Sequence, residues 1–317
     1  MSAGDPGDRD DLPPRAAAPE GYESHGADTQ EATRALARTV IVSAADSVFF
    51  DLLEGLLGSL ARLPALARVP IAVFDLGLRE AQRQALVERG VLLLRARPHL
   101  GVDPSGSCPI VPGVLVRPFL ADYLPDHEVH VWIDADAWVQ DWRSILRLSE
   151  GARAEGLAAV AESEPRYVTP LWQHVWHAKH CLLGFGPRVG MALLRRPMIN
   201  AGVFAMAAGA PQAACWQRRF GDAVRRTGRV APYDQFTLNQ AVWLDGQPAR
   251  LLDPRDNWIC NRALPGFDPV AERFCLPYAP FEPLGILHLA GHLKAGRVAV
   301  PTTDGKRHDV RLGFEIA

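Results

Sequence analysis

Nowhere does the 317-residue chain carry a run of about 18 apolar residues, the minimum for a helix that crosses a bilayer. Its N-terminus also lacks the basic start and apolar stretch of a secretory signal. No integral membrane segment is expected, and the expected location is cytoplasmic. Charge of one sign is not in excess either: a formal net charge of -2 and a pI near 6.6 give no global basic field, which speaks against binding nucleic acid or an anionic membrane by bulk electrostatics. Local anion sites stay open. The cysteines are few, odd in number and widely spaced: Cys108, Cys181, Cys215, Cys260 and Cys275 show none of the paired spacing of a disulfide-stapled or zinc-binding module. Free thiols in a reducing compartment are the simplest reading. There is no internal repeat and no interior linker.

What is present is a globular composition, 48% hydrophobic and 22% charged, with enough apolar material for a full core. Residues 1–34, rich in Gly, Pro, Asp and Ala, show no apolar periodicity and read as a disordered leader. One large domain over 35–300 and a tail over 301–317 are expected after it. Order begins with the β-branched run Thr39-Val40-Ile41-Val42-Ser43, a buried strand. Phe49, Leu52, Leu53, Leu56, Leu57 and Leu60 then recur at helical spacing, with Asp46 or Ser47 as cap. A strand at 71–74, a helix over 79–89 stopped by Gly90, and a strand at 91–94 complete a βαβαβ series, the signature of parallel strands in right-handed units. The stretch 98–112 reads as loop and 116–123 as helix, followed by a strand over 128–133. Beyond it an α+β region is expected, with strands near 157–161 and 202–206, helices over 213–226 and 234–243, and a last secure strand at 285–288.

The sharpest chemical feature is Asp134-Ala135-Asp136 at the carboxyl end of a strand, in VHVWIDADAWVQDW. Ligands of open α/β sheets sit at the carboxyl ends of strands. Two acids one residue apart repel and raise each other's pKa unless a cation neutralises them, and a divalent ion on a diphosphate does so. Taken alone, a strand that ends in a capping Asp and a solvated Asp is equally consistent with these residues. Three further patches add context. Asn200 and Gly202, in INAGVF, place an amide and a close-approach glycine at the mouth of a strand. Asp234 and Gln235, in YDQFTLN, open a helix. His288, Gly291 and Lys294, in HLAGHLK, offer a metal ligand, a glycine and a point charge for phosphate. Trp172, His174, Trp176, His177 and His180 form an aromatic, histidine-rich cluster that fits structural packing or an acceptor-facing lid better than a second metal site. Glu162 and Glu164, after a strand, lie near a cleft or on plain surface.

In order and approximate spacing these patches, with VIVSAADSVFF and FDLGLREAQRQAL, resemble the glycosyltransferases of family 8 over about residues 39–296. The resemblance implies a GT-A type nucleotide-diphospho-sugar transferase fold, a Rossmann-like mixed central sheet flanked by helices. It also implies a metal-dependent transfer of a hexose from a UDP-sugar to a small-molecule, glycan or lipid-linked acceptor, with retention of configuration. Asp134, Asp136 and His288 would hold Mn²⁺ or Mg²⁺, and Gly291 and Lys294 the phosphates. Ala44, Asp46 and Phe50 would lie near the base and ribose, and Arg117 would face the sugar or phosphate. Ala135 would sit with the acid pair at the donor, Asn200 and Gln235 beside the sugar, and Asp234 near sugar or acceptor. Phe236 stands where the family often has a second acid, and Ala295-Gly296 where it often has Pro-Trp. Two rivals remain at this point: a phosphohydrolase of the haloacid dehalogenase type, whose acid pair lies on the first strand rather than after three others, and a non-catalytic sugar-nucleotide binding module.

Overall fold

The computed structural model describes residues 34–104, 107–291 and 297–314. The expected leader therefore lies almost wholly outside the described residues, and Lys294 does too. The first strands are β1 (Thr39–Ala45), β2 (Ile71–Asp75), β3 (Leu92–Leu94) and β4 (Val129–Ile133), followed by the short β5 (Ala137–Val139). Then come β6 (Leu157–Ala161), β7 (Ile199–Ala207) and β8 (Arg250–Leu252). Seven of them form the central sheet in the order β3-β2-β1-β4-β7-β6-β8. The first four strands of that order run parallel, while β7 is antiparallel to both its neighbours and β8 is parallel to β6. The chain thus forms the expected Rossmann-like mixed sheet. Its order turns back between β1 and β4, and a crevice opens at the carboxyl ends of strands where such a reversal occurs.

Both faces of the sheet are covered, so alternation along a strand separates two cores rather than core from solvent. On β4, Val129, Val131 and Ile133 pack with the helices Phe50–Ala61 and Arg143–Glu155. Trp132 points the other way, into the layer that holds Trp216, Phe220 and Leu238 of the helices Pro211–Thr227 and Tyr233–Trp243. The intervening His130 is buried as well; its Nε2 lies 2.9 Å from the carbonyl of Leu124, and burial pushes its pKa down. Helix Leu171–Leu194 is broken at Gly186 (φ 77, ψ 173) ahead of Pro187.

Several sequence expectations need correction. A helix, Ile110–Leu115, already begins inside the stretch read as loop, and 116–123 is a 3₁₀ turn at Arg117–Phe119 followed by the short helix Leu120–Tyr123. Pro118 accounts for the break, since it has no N–H to continue an α-helical ladder. Strands also follow the one read as last. After β9 (Trp258–Ile259), β10 (Gly266–Asp268), β11 (Arg273–Cys275) and β12 (Ile286–His288) come β13 (Arg297–Pro301) and β14 (Arg307–Arg311), paired antiparallel. The boundary expected at 300 falls inside β13.

A second, three-stranded sheet in the order β5-β12-β9 lies against the carboxyl end of β4. It is the device that assembles the site.

Candidate active site

Asp134 follows the last residue of β4, and the chain turns at Asp134–Asp136 directly into β5. Strand β12 pairs antiparallel with β5 so that His288 stands opposite Ala137, and Leu289 N–H donates to the Asp136 carbonyl at 2.9 Å. Register alone therefore sets a histidine from near the C-terminus beside the acid pair. His288 Nε2 lies 3.3 Å from Asp136 Oδ1 and 4.0 Å from Asp134 Oδ2. One ligand atom from each of the three residues falls within 4.8 Å of the others.

Two of the three ligand side chains, Asp134 and His288, are held by partners on their far side. Asp134 Oδ1 accepts from Trp132 Nε1 at 2.7 Å and from Arg117 Nη2 at 2.6 Å, so Oδ2 is the oxygen turned toward His288. His288 Nδ1 lies 3.1 Å from Asn257 Oδ1, an acceptor, which leaves Nε2 as the atom facing the carboxylates. Asn257 Nδ2 donates to Asn200 Oδ1, Asn200 Nδ2 to Glu162 Oε1, and Glu162 Oε2 accepts from Arg262 Nη2 at 2.8 Å. This relay of paired amides runs from the histidine to the N-terminal end of helix Leu171–Leu194, where Arg262 Nη1 donates to Thr169 Oγ1 and Gln173 Oε1. Asn257 is itself fixed by its neighbour, since buried Asp256 accepts from Ser144 Oγ and is paired with Arg147.

Gly202 completes the cradle. Antiparallel pairing of β7 with β4 brings its carbonyl to Asp134 N–H at 2.7 Å. A Cβ built at Gly202 would collide with His288 Cε1 and come within 2.7 Å of Asp134 Oδ2. Asn200, on the same strand, sits beside a register shift between β6 and β7, the irregularity that re-aims a side chain at a sheet rim.

The charge balance favours a cation. Among the described residues, Arg117 donates to both Asp134 and Asp234, and His288 faces Asp136, so three carboxylates gather around one guanidinium and one imidazole. Burial opposes the Arg117 charge, but the two carboxylates outweigh it and raise its pKa. Burial likewise lowers the His288 pKa, and Asp136 and Asp134 overcome it, so the net direction is upward. The pocket attracts positive charge. An octahedral ion about 2.1 Å from each ligand separates cis ligands by about 3.0 Å and trans ligands by about 4.2 Å. The 3.3 and 4.0 Å spacings fit inside that frame.

The other expected residues are placed as follows. Asp234 is buried in the first turn of helix Tyr233–Trp243, its carboxylate turned to Arg117 rather than capping the helix. Gln235 Oε1 accepts from Ala201 N–H at 3.1 Å, next to Gly202. Ala44 and Asp46 lie at the carboxyl end of β1, where Asp46 Oδ1 accepts from Val48 and Phe49 N–H and so orders the turn ahead of Phe50. Ala135 is buried between the two acids, in the core under the sheet. Gly291 has φ +56, and a Cβ there would come within 2.5 Å of Asn261 Nδ2. Phe236 is core: its ring packs on Trp176, His177 and His180. His180 is buried with Nδ1 2.8 Å from the Trp176 carbonyl, His177 packs edge-on to Phe236, and His174 is exposed, so the three histidines do not converge.

No protein-family model matches the sequence, and no curated protein matches it. Among solved structures the chain is similar to galactosyltransferase LgtC in complex with donor and acceptor sugar analogs, at 17% identity, covering 80% of this chain and 87% of that one, with a TM-score of 0.48. It is also similar to mouse xyloside xylosyltransferase 1 in its apo form, at 13% identity over 80% and 97% of the two chains, TM-score 0.48. A third likeness is to core-mannan synthase A from Aspergillus fumigatus in its Mn/GDP form, at 10% identity over 69% and 73%, TM-score 0.43. Likeness at that distance leaves the chemistry to be argued from this chain's own side chains.

Proposed function

We propose that the chain is a metal-dependent glycosyltransferase of the GT-A type, moving a hexose from a UDP-sugar to an acceptor hydroxyl with retention of configuration. The observation that carries this reading is the cluster of Asp134, Asp136 and His288 packed against Gly202, with Asp134 and His288 braced from behind, at the crevice where the strand order reverses. Two carboxylate oxygens and one imidazole nitrogen suit Mn²⁺, with Mg²⁺ the alternative. A divalent cation there supplies Lewis acidity that offsets charge on a leaving diphosphate.

The protein's own groups take the remaining roles. Arg117 pins Asp134 and Asp234 and brings its guanidinium to the edge of the donor site. Ala44, Asp46 and Phe50 line the end of β1, the neighbour of β4, and suit the base and ribose. Asn200, held by Gly202 N–H, Asn257 and Glu162, and Gln235, held by Ala201 N–H, are assigned beside the sugar. Gly291 lets a phosphate approach the backbone, and Lys294 is assigned to the same phosphates through the family resemblance. Retention and the identity of the nucleotide rest on that resemblance too, with Gln235 nearest the reacting face.

The test is a thermal-shift screen of nucleotide sugars with and without Mn²⁺, because a ligand that binds only the folded state raises its apparent stability. UDP-sugars are expected to stabilise the protein only with Mn²⁺, and product is expected to form from a labelled donor. Stabilisation by donor regardless of Mn²⁺, and unchanged by Asp136→Asn, would overturn the assignment.

A further inference from the structure

From Pro165 to Gly221 the chain contains no aspartate or glutamate. For a protein of formal net charge -2 this is strong segregation, and the exposed Arg166, Lys179, Arg188, Arg195 and Arg196 fall within its first part. The same part holds a concentration of exposed apolar side chains. On helix Leu171–Leu194, Leu171 is 78% exposed, Trp172 67% and Val175 61%, and Trp176, Leu182 and Leu183 are also exposed. At about 100° per residue Leu171, Val175 and Leu182 form one line, with Trp172, Trp176 and Leu183 beside it and Lys179 between. His180, Cys181 and Gly184 project from the opposite side into the protein. Exposed apolar side chains gathered on one helix face around a lysine mark an interaction surface.

We propose that this face docks on an anionic lipid bilayer. Exposed aromatic and aliphatic residues around Lys179 on one helix face, in an acid-free stretch that also exposes Arg166, Arg188, Arg195 and Arg196, suit an interfacial helix. Among the described residues no helix is long and apolar enough to cross a membrane. Charge complementarity selects this occupant over a second copy of the chain, because symmetric self-pairing brings like cations together. The position is also apt. Gln173 and Thr169 are tied through Arg262 and Glu162 to Asn200, and Trp176 packs on Phe236, next to Gln235. Resting on the transferase reading, docking here sets the cleft beside an acceptor presented at the lipid surface.

The experiment is co-sedimentation of the metal-free, nucleotide-free full chain with vesicles of phosphatidylcholine alone or with about 30% phosphatidylglycerol, at about 0.1 M and about 1 M salt, where the screening length falls from about 10 to about 3 Å. Binding is expected to the anionic vesicles at low salt only. Lys179→Gln should weaken it roughly fivefold, at about tenfold per 1.4 kcal/mol and about 1 kcal/mol per basic residue. Trp172→Ser with Val175→Ser should abolish it without changing the thermal melt, since both side chains are exposed. Failure to bind anionic vesicles, equal binding to neutral ones, or unchanged binding by the Trp172/Val175 variant each overturns the proposal. A lipid-free dimer that Trp172→Ser dissolves does so as well, by giving the face to a second copy. Failed vesicle binding with the Mn²⁺-dependent thermal shift intact would leave the transferase reading standing.

Discussion

Gly202→Ala adds one methyl group at the point where the three ligands meet. The glycine has ordinary strand geometry, its N–H donating to Asn200 Oδ1 at 2.9 Å, so alanine meets no backbone penalty and the effect is steric. The new Cβ overlaps His288 Cε1 and comes within 2.7 Å of Asp134 Oδ2 and 3.0 Å of Asn200 Oδ1. None of the three can yield freely: His288 is tied to Asn257, Asp134 to Arg117 and Trp132, and Asn200 to Glu162. Overpacking of this kind costs about 1–3 kcal/mol of stability, and misplacing ligands through their supports lowers metal affinity about 10–100-fold. At a Mn²⁺ concentration about 100 times the wild-type Kd, bound metal adds about 2.7 kcal/mol, and the weakened site keeps only about 0.4–1.4 kcal/mol. At about 3 °C per kcal/mol the Mn²⁺-induced rise in Tm then falls from about 8 °C to about 1–4 °C. Differential scanning fluorimetry with and without Mn²⁺ reads both numbers. A folded Gly202→Ala protein with the full wild-type Mn²⁺ shift would refute the placement of the ion between these side chains.

Asn257→Ala removes the acceptor that orients His288, and Mn²⁺ affinity measured by calorimetry should fall about 10–100-fold while the fold survives. His288 has its pKa raised in the metal-free protein, so its contribution to stability is complete below the ordinary imidazole value and disappears as pH climbs through the raised one. Mn²⁺ must displace that proton; affinity should therefore grow about tenfold per pH unit below the raised pKa and level off above it, with proton release visible as a buffer-dependent binding heat. A flat affinity profile across the acidic range contradicts this. Arg117→Ala leaves buried Asp234 without its guanidinium and should cost about 3–5 kcal/mol in urea unfolding, and Arg117→Lys should recover only part of it, because one ammonium does not span two carboxylates.

The parts of this site that could be read from the sequence are those with a local cause. β-branched runs separated by helical periodicity predict the parallel strands, and β1 to β4 appear in that order with bounds within a few residues. Asp134 and Asp136 stand out because a strand visibly ends at them. Phe236 could be singled out as a position but not given its role, since only the packing of helix Leu171–Leu194 on helix Tyr233–Trp243 shows that its ring fills the contact between them.

The supports were not legible, and the reason is register. Nothing near Asn257 marks it as a partner of His288. It lies at the end of a 3₁₀ turn, 31 positions away, and meets the imidazole because β12 runs parallel to β9 and opposite β5. Glu162, which the sequence leaves between a cleft and plain surface, and Arg262, which no local pattern marks, are likewise 100 positions apart; together they carry the polar chain from the ligand histidine to the N-terminal end of helix Leu171–Leu194. A one-residue slip in the β5/β12 ladder would turn His288 to the opposite face and empty the site while leaving every motif in the sequence intact. The chemistry of this protein therefore resides as much in that short ladder as in the acid pair, and substitutions that loosen β12, far from any charged group, should silence the site before they unfold the sheet.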